Sequence, residues 1–189
     1  MPSLLTPFLQ KQRFGIIQPY LAGDVLDLGC GLALVSEMLK PDQRYVGVEG
    51  PSSFLEWLHA HRPELSFYQR DLDMQPLDLG QKFDTILMIA VIEHLEKPGF
   101  VLSQMPSHLK TDGRLVITTP SPAGDRIHQI GARLGLFSKE AMHEHETIFT
   151  RTSLNRLAEQ NALELIQYRT FLLGGNQLFI FQASGAHSV

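Results

Sequence analysis

The stretch VLDLGCGLA, residues 25–33, decides the fold. Val25, Leu26 and Leu28 read as a buried strand, yet Asp27 sits among them and the glycines Gly29 and Gly31 follow at once. A carboxylate is costly to bury unless something on the far side partners it. Glycines at a strand end let a ligand approach the backbone closely. The pattern therefore predicts a strand that delivers an acid and a bare turn to one binding place.

Outward from this turn, strands and helices alternate. Tyr45–Val48, Ser66–Gln69, Phe83–Ile89 and Leu115–Thr119 read as further strands. Between them, Leu32–Leu39, a segment opened by Pro51-Ser52-Ser53, and a segment from Pro98 carrying Val101, Leu102, Met105 and Leu109 show helical spacing. Pro41-Asp42 ends the first helix and Gly113 the third. Alternation of this kind implies parallel strands with right-handed crossovers. Near-continuous apolar strands such as TILMIAVI fit a sheet covered on both faces. After a helix at Arg151–Gln160, Leu163–Phe171 and Gln177–Gln182 flank Gly174-Gly175-Asn176, as in an antiparallel hairpin. The expected fold is α/β: a Rossmann-like, seven-stranded, mostly parallel sheet with helices on both faces and a C-terminal antiparallel hairpin. Residues 1–189 are expected to form a single domain. Residues 1–22 would hold a leading helix (Thr6–Leu21) that Pro19 bends or ends, and residues 120–150 a lid over the substrate.

Composition narrows the function. The 189 residues are 43% hydrophobic and 19% charged, which is globular. The net charge of −4 provides no global basic footprint for nucleic acid. The lone cysteine, Cys30, excludes an internal disulfide framework. The N-terminus lacks the pattern of a secretory signal, and the apolar run Ile86–Ile92 is too short to span a bilayer. A cytoplasmic enzyme acting on a small molecule is expected, and composition leaves its oligomeric state open.

Two adenosine-type ligands suit the turn. A dinucleotide needs G-x-G-x-x-G, and Leu34 stands where the third glycine belongs. Asp27 would also repel a pyrophosphate, whereas it suits an α-ammonium group. VLDLGCGLA resembles the first motif of class I S-adenosylmethionine-dependent methyltransferases, and later motifs follow in order over most of the chain. The resemblance implies S-adenosylmethionine as cofactor, with Asp27, Gly29, Cys30 and Gly31 around it. It places Glu49, with Gly50, where the family's acid takes the ribose hydroxyls. In YQRDLD, Asp71 falls where an acid binds the adenine amino group and Leu72 where a backbone N–H meets the ring. In FDTILMIAVIEHLEKP, Met88 and Ile89 fall near the methionine part. Ala33 replaces a glycine that the family often has.

Histidines supply the candidate catalytic groups. His94, after the fourth strand, and His145, in MHEHETIFTR, suit proton removal from a hydroxyl. O-methylation of a small metabolite is the expected reaction. One alternative is a metal-assisted RNA 2′-O-methyltransferase. Its resemblance would recruit Glu93, His94 and His145 as ligands, but Ala90 replaces a further glutamate, so metal use is left open. The other alternative is a non-catalytic S-adenosylmethionine-binding protein.

Overall fold

The computed structural model describes residues 6–51, 53–124 and 147–185. His145 and most of the 120–150 connection lie outside the described residues. A leading helix α1 (Thr6–Ile17) runs into a single 3-10 turn, Gln18–Tyr20, at Pro19. The sheet then takes up β1 (Val25–Leu28), β2 (Tyr45–Glu49), β3 (Ser66–Gln69), β4 (Phe83–Ile89), β5 (Leu109–Pro120), β6 (Leu163–Phe171) and β7 (Asn176–Ala183). Helix α2 (Ser53–His61) joins β2 to β3, and α3 (Pro98–Leu102) and α4 (Met105–His108) join β4 to β5. Helix α5 (Arg151–Glu159) precedes β6.

The strand order is β3-β2-β1-β4-β5-β7-β6. The first five strands are parallel, and β7 pairs antiparallel with both β5 and β6. The chain moves outward from β1 to β3, then returns to place β4 on β1's other side. Strand order reverses at β1/β4, where open α/β sheets place their ligands.

Alternation along the strands builds two apolar layers. Leu26, Leu28, Val46, Val48, Ile86, Met88, Leu115 and Ile117 face one layer, with Val101, Leu102 and Met105 of the β4–β5 helices and Leu154 and Ala158 of α5. Val25, Tyr45, Leu87 and Val116 face the other, with Ile17 of α1 and Leu58 of α2. This accounts for the unbroken apolar strands, since neither face meets water.

Two helices differ from expectation. Leu32–Leu39 is not an α-helix; only a short 3-10 turn, Leu34–Met38, forms. Gly29, Gly31 and Ala33 all have positive φ (67°, 53° and 54°), so the chain is still turning when helix would have to nucleate. No helix N-terminus therefore faces the glycines at Leu32. The segment after Pro98 is also not one helix. Pro106 sits at the start of α4 with no N–H to continue the earlier ladder, and Leu109 is already strand, paired with Phe83.

Gly47, mid-strand in β2, lies opposite Asp27 in register. A Cβ there would stand 2.8 Å from both Cys30 Sγ and the Phe67 ring. Gly47→Ala should therefore cost about 1–3 kcal/mol of stability through overpacking, read as a lowered denaturant midpoint with unchanged slope.

Candidate active site

At the carboxyl ends of β1 and β4 the backbone opens into a cleft of two lobes that meet at Gly29. The first lobe, about 460 Å³, is walled by Asp27, Cys30, Gly31 and Ile89, with Arg13 and Phe14 reaching over from α1. The second, about 330 Å³, is walled by Glu49, Gly50, Asp71 and Leu72, with Ala90, Val91 and His94 from beyond β4.

The glycine turn divides the lobes for a steric reason. Gly29 has φ +67°, and a Cβ there would press to 2.6 Å from Val91 Cγ2. A Cβ on Gly31 would meet nothing within 4 Å and would project into free space where a ligand could lie. The turn is pinned to β2, because the N–H groups of Gly29 and Cys30 both donate to the Val48 carbonyl, at 2.8 and 3.1 Å.

Glu49 is fixed by the same turn. Its Oε2 accepts from the Gly31 N–H at 2.7 Å and its Oε1 from the Gly50 N–H at 3.0 Å. A carboxylate offers roughly four acceptor sites. Two remain on Glu49 for a pair of neighbouring hydroxyls.

Asp27 lies at the floor of the first lobe and is only 3% exposed. The Tyr45 hydroxyl donates to its Oδ2 at 2.8 Å. Burial pushes the carboxyl up to about 7, with Glu49 adding to the rise and the Tyr45 bond opposing it. Burial, with the negative charge of Asp27 and Glu49, also drives the Cys30 thiol upward, so it stays protonated at the turn.

Most residues expected at the cofactor line this cleft: Asp27, Gly29, Cys30, Gly31 and Ile89 in one lobe, Glu49, Gly50, Asp71 and Leu72 in the other. Met88 does not. It is fully buried in the layer with Leu28, Ile86 and Ile117 and lines neither lobe. Alternation along β4 turns Ile89, not Met88, toward Asp27's side of the sheet.

His94 stands exposed at the rim of the second lobe, while its neighbour Glu93 is 1% exposed. Glu93 Oε2 has no hydrogen-bond partner, and burial pushes its carboxyl up from the ordinary range. The Glu93 and His94 side chains thus occupy different environments. Among the described residues, no group of three or more His, Cys, Asp or Glu side chains converges as a metal site.

The sequence reading missed Arg13. Its guanidinium donates to Asn176 Oδ1, at 3.3 Å from Nη2 and 3.4 Å from Nε, which ties α1 to β7 beside the first lobe. No local signal marked it, because Arg13 closes the polar run Gln10-Lys11-Gln12 and reads as one more solvated helix residue.

A methyltransferase domain family model matches residues 5–168. The chain belongs to the class I S-adenosylmethionine-dependent methyltransferases. It is 28% identical over 157 residues to the ubiquinone biosynthesis O-methyltransferase of Bartonella quintana, covering 79% of this chain and 64% of that protein. With the enzyme of that name from Bradyrhizobium diazoefficiens the identity is 32% over 98 residues, or 50% of this chain and 39% of that one. The chain thus spans under two thirds of these relatives' length. Among solved structures, it superposes on a TehB-like methyltransferase from Corynebacterium glutamicum with TM-score 0.68 and 17% identity, covering 92% and 88% of the two chains. For the magnesium protoporphyrin IX methyltransferase of Synechocystis the values are 0.67, 16%, 93% and 84%. These likenesses bear out the Rossmann-like fold. No helix among the described residues is long and apolar enough to cross a membrane.

Asp27 gives the fold a predictable pH dependence. Its carboxyl is raised in the folded chain, so between about pH 4 and pH 7 the folded state holds a proton that the unfolded state has released, and stability falls as pH rises. Asp27→Asn removes this dependence. At pH 8 the ligand-free variant should exceed the parent by on the order of 4 kcal/mol in denaturant unfolding, with the gap closing toward pH 4.

Proposed function

We propose that this chain transfers the methyl group of S-adenosylmethionine to an oxygen atom of a small metabolite. The observation that carries the reading is the pair of fixed carboxyls at opposite ends of one cleft. Asp27 suits an α-ammonium group in the first lobe, and Glu49 suits the ribose diol in the second. The residues fit the cofactor: the open space beyond Gly31 admits a chain across the turn, and Leu72 and Val91 give the second lobe apolar surface for an adenine ring.

When bound, the cofactor supplies an electrophilic methyl on a sulfonium. The protein's task is to align nucleophile, methyl and sulfur in a site shielded from water. As the new carbon–oxygen bond forms, the carbon–sulfur bond breaks and the hydroxyl proton must leave. His94, exposed at the cleft rim, is the described residue suited to accept it. Oxygen as the acceptor atom is supported by the O-methyltransferase relatives. A small acceptor is supported by the net charge of −4, which provides no global basic footprint for nucleic acid.

Calorimetry with S-adenosylhomocysteine tests the cofactor half. Glu49→Ala should weaken binding by about 1.5–3 kcal/mol, the value of hydrogen bonds to a charged group. Unchanged affinity would refute the site. A mass-spectrometric screen of hydroxylated metabolites tests the acceptor half. His94→Ala should lower kcat for the responding compound by about 10²-fold or more, with a smaller effect on S-adenosylhomocysteine affinity. Methyl transfer to RNA alone, or binding without transfer to any acceptor, would overturn the small-metabolite reading.

A further inference from the structure

Tyr45 lines neither lobe, yet it touches the acid at the floor of the first. It sits at the start of β2, 4% exposed in the layer between sheet and helices, and its hydroxyl spends its proton on Asp27 Oδ2 at 2.8 Å. That bond leaves Oδ1 as the Asp27 oxygen available to the lobe that Asp27 lines. We propose that Tyr45 is a positioning residue for donor binding: its hydroxyl locks the Asp27 carboxylate in the ionised, correctly turned form that receives the α-ammonium group.

The proposal rests on the cofactor reading above. The geometry explains why the lock is needed. Asp27 is buried, Glu49 lies close enough to oppose its ionisation, and Cys30 beside it carries no charge. From α1, Arg13 reaches the same lobe, while the β4 residue paired with Asp27 is the apolar Leu87. Of these neighbours, the Tyr45 hydroxyl is the one that hydrogen-bonds the carboxylate. Gly47, two residues on and facing the same layer, leaves room for Cys30 and for Phe67, which meets the Tyr45 ring edge-on at 6.3 Å between centroids.

Removing only the hydroxyl separates this role from packing. Tyr45→Phe keeps the ring and should retain the parent's thermal midpoint at neutral pH within a few degrees. Its Asp27 then ionises at higher pH, by about one pH unit for the loss of one hydrogen bond to a charged group. Affinity for S-adenosylhomocysteine, measured by calorimetry, should then be about eightfold weaker than the parent's near pH 6.5 and within about 1.5-fold near pH 8.5. The ligand's own amino group titrates identically in both experiments, so the ratio reads the protein alone. Binding to the parent should also release protons near pH 6.5, seen as a buffer-dependent enthalpy. A Tyr45→Phe affinity equal to the parent's at both pH values, or equally weaker at both, would overturn the proposal, as would a parent enthalpy independent of buffer. Failure of the parent to bind S-adenosylhomocysteine at all would instead overturn the cofactor reading.

Discussion

The structure turns on one electrostatic constraint: a carboxyl placed inside the sheet at the carboxyl end of β1, beside the point where strand order reverses. Asp27 has Val25, Leu26 and Leu28 for chain neighbours and paired strands on both sides, so only the adjoining lobe offers water a way to it. Isolated, such a group is a net cost to folding. Its surroundings are arranged to reduce that cost without abolishing it. Tyr45 supplies one hydrogen bond, and Gly47 clears the space that lets Cys30 pack beside it. What is left over is an acid that gains more than an ordinary carboxylate would from a cation arriving in the adjoining lobe. Stability withheld from the free fold is thereby available as binding energy.

The same constraint sets the backbone beyond Asp27. On the proposed reading a ligand reaches the carboxyl over the strand end, so the chain has to leave β1 without covering it. Three residues with positive φ within five positions achieve this, and they use up the length in which a helix would otherwise nucleate. Ala33 is the costly member, because a residue with a Cβ pays roughly 1–2 kcal/mol in the left-handed region. Its methyl is fully buried against the layer holding Ile17 and Val35, which offsets part of that cost.

How legible this was depends on the length scale of the signal. Strand positions follow from short apolar or alternating runs, and Ser66–Gln69, Phe83–Ile89 and Leu163–Phe171 emerge in the structure with the boundaries their sequences indicate, whereas strand order appears only in the fold. The place of Asp27 and Glu49 on the walls of the cleft was legible because a charge at the end of an apolar strand has few structural uses. The helix expected at Leu32–Leu39 failed because Leu34, Val35 and Met38 have helical spacing but the dihedrals of Gly31 and Ala33 are not encoded in that spacing. Met88 was misplaced by a single residue of register, and at a period of two that moves a side chain to the opposite face.

Arg13 and Tyr45 were illegible for a different reason. Neither stands near the glycine turn in sequence, and each becomes part of the site only through a pairing that the fold creates. Arg13 is brought to the first lobe by α1 crossing to Asn176, 163 residues away. Tyr45 reaches Asp27 because β2 pairs with β1 in a register that puts Val25, not Asp27, directly opposite it. The hydroxyl bridges the two-residue offset along one face of the sheet. A valine at position 45 would suit the strand equally well by propensity. It would leave Asp27 Oδ2 without its donor. The choice of tyrosine there is therefore better explained by the carboxyl it serves than by the strand it belongs to.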